Sequence, residues 1–243
     1  MKAYTAAQIR AAEEPLLAAG VPLMARAAAA LAREIRLLLP AGGAGTVLLL
    51  VGPGNNGGDA LYAGAELAAL GSTVSILPTA DRMHDGGRVA AVDAGARMLP
   101  ADIDTDAAAS VARDSDVIVD GILGTGTSAS PALRGRAREL VAAILPVLAG
   151  ENPPIVVAVD LPSGVHPDDG SVPDPTVLPA DVTVAFGACK TGLLIAPAVD
   201  YVGRLVVVDI GLGPELDRVA AIMEDAAGEH SATRRHPFGE STT

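Results

Sequence analysis

Six short apolar runs, separated by longer stretches rich in Ala and Leu, constrain what this chain can fold into. They are GTVLLLVG (45–52), STVSILPT (72–79), SDVIVDGILG (115–124), PIVVAVDLPSG (154–164), ADVTVAFG (180–187) and GRLVVVDIG (203–211). Their apolar residues are largely continuous rather than alternating, which is how a strand covered on both faces reads. Between them lie helical patterns: from the loop after Gly52 through about Leu70, GGRVAAVDAGARML (86–99) and LRGRARELVAAILPVLAG (133–150). Strands alternating with helices predict an α/β, three-layer, Rossmann-like fold, with a mostly parallel sheet and helices on both faces. Two further helices precede the first of these strands. Thr5 opens TAAQ, a capping box, with a helix through about Ala19, and Pro22 starts PLMARAAAALAREIRLLL. Both are expected to cover the sheet.

The 243 residues suffice for one large domain. Half are apolar but only 2% aromatic, so the core must be built from Ala, Val and Leu. A net charge of -12 argues against nucleic acid, whose phosphates need clustered Lys and Arg. It does not exclude an anionic small ligand, because helix N-termini and backbone amides bind anions without cationic side chains. Cys189 is the single cysteine, so no internal disulfide forms. The first residues carry charges where a signal peptide needs an apolar run, and the longest apolar runs fall short of a membrane span. A soluble cytoplasmic protein is expected, with an ordered domain over 1–213. From about Pro214 periodicity is lost, so 214–243 reads as a flexible tail, with His230 and His236 on its surface.

Ligands of an open α/β sheet bind at the carboxyl ends of its strands. Three strand ends carry polar, Gly-rich loops: GPGNNGGD (52–59), DGILGTG (120–126) and DLPSG (160–164). Each has a plain structural reading. Asp59 falls in the first turn of a helix, where the macrodipole favours a carboxylate. Asp120 ends a strand, and Pro162-Ser163-Gly164 makes a turn. Three such loops on one sheet edge weaken those readings together. Gly52, Gly54 and Gly57 satisfy the dinucleotide fingerprint G-x-G-x-x-G, but its acidic partner, due about 20 residues on, is displaced to Asp81. There is no Tyr-x-x-x-Lys pair, and His84 and His166 read as isolated surface-loop residues. An NAD-dependent oxidoreductase is therefore the weaker alternative. One Cys and four scattered His exclude zinc-type spacing. The Asn56 amide, Asp120 carboxylate and Ser163 hydroxyl instead offer oxygen ligands for a hard cation, and with one formal charge among them a monovalent ion is as plausible as a divalent one.

The motifs GPGNNGGDA (52–60), VIVDGILGTG (117–126), VVAVDLPSGV (157–165) and ADVTVAFGACKTGLL (180–194) resemble, in order and spacing, the NAD(P)H-hydrate epimerase family, the YjeF N-terminal domain. The start, YTAAQIRAAEEPLLAAGVPLMARAA, is similar too, so the resemblance covers about residues 4 to 213. It implies epimerisation of the R and S forms of hydrated NADH or NADPH at C6 of the nicotinamide ring. It implies substrate contacts from Asn55, Asn56, Gly57, Gly58 and Asp59, from Gly124, Thr125, Gly126, Thr127, Ser128, Ala129 and Ser130, and from Asp160. It makes Asn56, Asp120 and Ser163 ligands of K+. Departures are Ala25 where the family usually has Glu, Ala28 and Ala60 where it has Gly, and TSASPALRG after Gly126. The resemblance is compatible with a homodimer and implies a NAD(P)H-hydrate dehydratase as pathway partner, to which many members are fused. Asp160, ahead of its tight turn, is the candidate acid–base residue, a carboxyl with a raised pKa; the alternative is that it only hydrogen-bonds the ligand. A non-catalytic nucleotide-binding or scaffold module of the same fold is the other reading of the whole chain.

Overall fold

The structure is a computed structural model and describes residues 1–40, 44–127, 130–219 and 223–224. The Thr5 side chain accepts from the Gln8 amide at 3.2 Å and the Gln8 side chain accepts from the Thr5 amide at 2.9 Å. This capping box starts α1 (Ala6–Ala18), followed by α2 (Leu23–Arg36). On α2, Leu23, Ala27, Ala30, Leu31 and Ile35 are buried, the i, i+4, i+7 stripe of a helix lying on a sheet.

The main sheet has seven strands in the order β4 (Arg97–Met98), β3 (Thr73–Pro78), β2 (Thr46–Val51), β5 (Val117–Gly121), β6 (Ile155–Val159), β7 (Val182–Phe186) and β9 (Arg204–Val208). All its pairings are parallel. Along β2 the side chains divide between two cores. Val47, Leu49 and Val51 pack with α1, α2 and α3 (Asn55–Ala69), and Leu48 and Leu50 pack with α5 (Thr105–Arg113) and α6 (Gly135–Ile144). The three-layer arrangement is thus the expected one. Each fully buried Leu or Val contributes about 1.5–3 kcal/mol over an exposed one, and with so few aromatics many small contributions replace a few large ones.

Several elements differ from the sequence expectation. The helix expected over 86–99 is α4 (Asp85–Asp93); Gly95, at φ 103°, turns the chain so that Arg97–Met98 joins the sheet edge as β4. The helix in 133–150 is α6 followed by a 3-10 segment, Leu145–Ala149, with Pro146 at its start. Helix α5 is not among the helical patterns read from the sequence; Asp104 caps it, accepting from the Asp106 amide at 2.8 Å. A second, three-stranded sheet was not legible at all. Its order is β10 (Met223–Glu224), β1 (Lys2–Tyr4), β8 (Cys189–Lys190), with β1 parallel to β8 and antiparallel to β10. Strands of two or three residues have no period to read. Beside it Ala3, Leu161, Val165, Cys189 and Leu193 form a third core, and α7 (Val199–Val202) closes it. Beyond residue 213 the chain forms α8 (Gly213–Leu216) and then β10; residues 225–243, including His230 and His236, lie outside the described residues. No single described helix is long and apolar enough to cross a membrane.

The sheet order reverses beside β2: the chain proceeds to β3 and β4 on one side, then returns to β5 and its successors on the other. The crevice outside the carboxyl ends of β2 and β5 is the topological switch point, where such sheets bind ligands.

Candidate active site

Two of the three expected loops meet in that crevice. The Gly52 amide donates to the Gly121 carbonyl at 3.1 Å. A Cβ on residue 52 would lie 1.8 Å from the Ile122 carbonyl oxygen, so glycine is required for the two loops to touch. Helix α3 then begins at Asn55, and no side chain caps its N-terminus at Gly54. The first amides of α3, at Asn55, Asn56 and Gly57, therefore remain for an anionic ligand group.

The third loop joins them through Asn56, Asp120 and Ser163. Ser163 Oγ donates to Asp120 Oδ1 at 2.6 Å and the Ser163 amide donates to Asp120 Oδ2 at 2.8 Å. Asn56 Nδ2 donates to the Leu123 carbonyl at 3.0 Å and the Val159 carbonyl at 2.5 Å, and Ser163 Oγ accepts from the Leu123 amide at 2.8 Å. All three side chains are buried and converge on the segment around Leu123, with the Gly124 backbone against the Asn56 carboxamide. Burial pushes the Asp120 carboxyl up, against the hydrogen bonds from Ser163 and Ile122 that lower it. A carboxylate, a hydroxyl and a carboxamide are the donor set of a hard cation. No group of three His, Cys, Asp or Glu able to hold a metal occurs among the described residues.

Farther along this loop Gly124 leads into a 3-10 turn, Thr125–Thr127, whose Thr125 carbonyl accepts from Arg10 Nη1 of α1 at 3.1 Å. Ser130 Oγ accepts from Arg134 Nη2 at 2.8 Å, and Ser128 and Ala129 lie outside the described residues.

Asp160 follows β6 with φ 69°, a left-handed conformation among whose non-glycine occupants Asn and Asp are enriched. Its amide donates to the Val184 carbonyl at 2.8 Å, and Oδ1 accepts from the Phe186 amide at 3.0 Å and from Lys190 Nζ. Lys190, 1% exposed, also donates to the Phe186 carbonyl at 3.2 Å. Asp160 and Lys190 thus form a buried ion pair, which costs desolvation and fixes geometry.

Asp59 is a carboxyl with a raised pKa. Burial, then the charges of Asp160 and Glu13, push Asp59 up to about 8, with Lys190 acting in the other direction. Glu13, on α1, is pushed up by burial and by Asp160, and pulled down by Lys190 and Arg10. Asp59 is the fifth residue of α3, past its first turn, so the macrodipole does not account for its position.

Lys190 and Glu13 escaped the sequence reading. For Lys190 a signal existed, a lone Lys inside the apolar run ADVTVAFGACKTGLL, since Lys is almost never fully buried unless paired. For Glu13 there was none, because the short sheet that brings α1 over the site had no pattern. His84 and His166 are half-buried rather than surface residues: His84 Nδ1 caps α4 at the Gly87 amide at 3.0 Å, and His166 Nδ1 accepts from the Asp169 amide at 3.2 Å. A separate pocket of about 480 Å³ between α2 and α3, lined by Met24, Ala25, Ala28, Tyr62, Glu66 and His84 among others, contains none of the expected site residues.

Comparison with known proteins converges on one family. The family model described as YjeF-related protein N-terminus matches residues 20–192. A protein of Clavibacter michiganensis subsp. michiganensis, named NAD(P)H-hydrate epimerase, is 57% identical over 210 residues, covering 86% of this chain and 90% of that one. One of Microbacterium testaceum with the same name is 49% identical over 220 residues, covering 89% and 81%. The bifunctional NAD(P)H-hydrate repair enzyme Nnr of Mycobacterium tuberculosis is 40% identical over 217 residues, 86% of this chain but 41% of the longer protein. In fold, the crystal structure of yeast ynu0 superposes with a TM-score of 0.67 at 21% identity, covering 79% of this chain and 83% of that one. With most of its length matched by the family model and by relatives well above 30% identity, the chain belongs to the family of the YjeF-related protein N-terminus.

Proposed function

We infer that this chain is an NAD(P)H-hydrate epimerase, an isomerase that interconverts the R and S forms of hydrated NADH and NADPH at C6 of the nicotinamide ring. The observation that carries the reading is the 57% identity, over 86% of the chain, to proteins of that name. The site is consistent with it. Inversion at C6 requires the C–O bond there to break, or the ring to open, and then to re-form on the other face, and either route moves a proton onto and off an oxygen or nitrogen, which is acid–base work. Asp160 is the residue for proton transfer: it is buried, oriented by Phe186 and Lys190, and stands at the sheet edge. A fixed carboxylate also stabilises a cation that develops at the ring nitrogen as the bond breaks.

The uncapped start of α3 and the turn at Gly124–Thr127 hold the nucleotide, with Asn55, Gly57, Gly58 and Asp59 on one side and the segment through Ser130 on the other. Asn56, Asp120 and Ser163 would hold K+, whose positive charge would anchor the two loops and offset ligand phosphate. The cytoplasm is the compartment, and a dehydratase that consumes one epimer is the partner step. Support for the latter comes from relatives named bifunctional repair enzymes, of which this chain spans 41%.

The test is chiral chromatography of one purified epimer of hydrated NADH incubated with the protein. Appearance of the other epimer well above the uncatalysed rate is expected. Hydride transfer, seen as a change in nicotinamide absorbance without epimer conversion, would favour the oxidoreductase reading, and binding with neither change would favour a scaffold.

A further inference from the structure

The Asp59 carboxyl has a feature that substrate contact alone leaves unexplained. It is 6% exposed, and its Oδ1 has no hydrogen-bond partner among the described residues. An unpaired buried carboxyl oxygen costs stability and persists where something else requires it. The ionisable groups whose charges act on it come from three elements: Glu13 of α1, Asp160 at the end of β6 and Lys190 of β8. Lys190 is committed to Asp160. Two further carboxyls thus act on Asp59 against one buried ammonium, and Arg10 also lowers Glu13. Like charges acting on one another in a poorly solvated site do not all ionise together, so the least solvated carboxyl keeps its proton. That carboxyl is Asp59, neutral at physiological pH with its pKa at about 8, while Asp160 is the anion of a fixed ion pair. Two carboxyls with opposed protonation in one site are the arrangement that separates acid from base.

We propose that Asp59 is the general acid of the epimerisation, acting opposite the Asp160 carboxylate. The assignment rests on the epimerase reading above. The Asp59 O–H bond breaks and its proton joins the C6 hydroxyl oxygen. The C6–O bond then breaks with its electron pair leaving in water, and the lone pair of the ring nitrogen forms the nitrogen–C6 double bond of an iminium cation. Water adds to the other face of C6, its oxygen pair forming the new C–O bond, its proton passing to Asp160, and the double-bond pair returning to nitrogen. Asp59 and Asp160 have then exchanged protonation states. With the Lys190 ammonium held on Asp160, the proton returns to Asp59 and the cycle closes.

The test is the chiral assay run from about pH 6 to about pH 10 on the full chain and on Asp59→Asn and Asp59→Glu. Wild-type kcat/KM should fall above an apparent pKa of about 8. Asp59→Asn, which keeps a donor but no acid, should lose roughly 10²–10⁴ in kcat, while KM changes by less than about threefold. Asp59→Glu should retain part of the rate and the high-pH limb, and decides the matter if the Asn variant fails to fold. A raised KM with kcat intact in Asp59→Asn, or a limb that survives in that variant, overturns the assignment and leaves the epimerase reading standing. No conversion by the wild type overturns both.

Discussion

Replacing Asp59 by Asn should make the protein more stable, by an amount that grows with pH. In the unfolded chain this carboxyl ionises at its ordinary value, 3.8, whereas the folded protein holds the proton until about 8. Between those values the unfolded state binds fewer protons than the native state, so stability falls as pH rises. The contribution is fully present below the unfolded pKa and fully lost above the folded one. At about 1.4 kcal/mol per pH unit, the loss passes about 4 kcal/mol near pH 7 and levels off at roughly 6 kcal/mol above pH 8. Asn has no proton to lose, so the variant escapes this slope. The carboxyls of Asp120 and Glu13 are also pushed up, but they are present in both proteins and largely cancel in the comparison. Urea unfolding of both proteins, followed by circular dichroism from about pH 5 to about pH 8, measures the difference. It should widen by more than about 2 kcal/mol over that range. A difference that stays constant with pH within about 0.5 kcal/mol would mean that Asp59 is ionised in the folded protein, and the division of labour argued above would fall with it.

Asp160→Asn should lose roughly 10²–10⁴ in turnover while nucleotide binding, by calorimetry, stays within about tenfold; retained epimerisation would remove Asp160 as an acid–base group. The same change leaves the Lys190 ammonium buried beside a neutral amide, so the melting temperature should drop by an amount equivalent to about 3 kcal/mol. Asn56→Ala should abolish any response of activity to K+, and with the bonds to Leu123 and Val159 gone it should cost about 2 kcal/mol in denaturant unfolding. Gly52→Ala places a Cβ 1.8 Å from the Ile122 carbonyl, so it should lower stability by at least about 2 kcal/mol and weaken substrate binding by parting the two loops.

The layers of the fold were legible because buried strands of a parallel sheet are long enough to show unbroken apolar runs. TVLLLV and IVVAV, at β2 and β6, announce themselves without their partners. The oxygen cluster was legible for a related reason: Asn56, Asp120 and Ser163 each lie at or just after a strand end, and one sheet edge gathers them. What stayed hidden depends on contacts between segments far apart in sequence. Glu13 and Lys190 reach the site only because residues 3 and 4 pair with 189 and 190, and pairs that short carry no local signature. The protonation contrast between Asp59 and Asp160 was hidden for the same cause. Both looked like carboxylates beside glycines, and only the third dimension shows which of them has the lysine.

The left-handed backbone at residue 160 bears on how this fold can lose its chemistry. Gly, Asn and Asp are the residues that settle there with least strain. Two of those three have no carboxyl, and a single nucleotide change converts an Asp codon to either one. A change to Asn or Gly here would keep the backbone conformation but remove the carboxylate that pairs the buried Lys190 ammonium. On the proposed mechanism such a copy would keep the loops of the cradle but lack one of the two carboxyls that move the proton, Asp160, while Asp59 would remain.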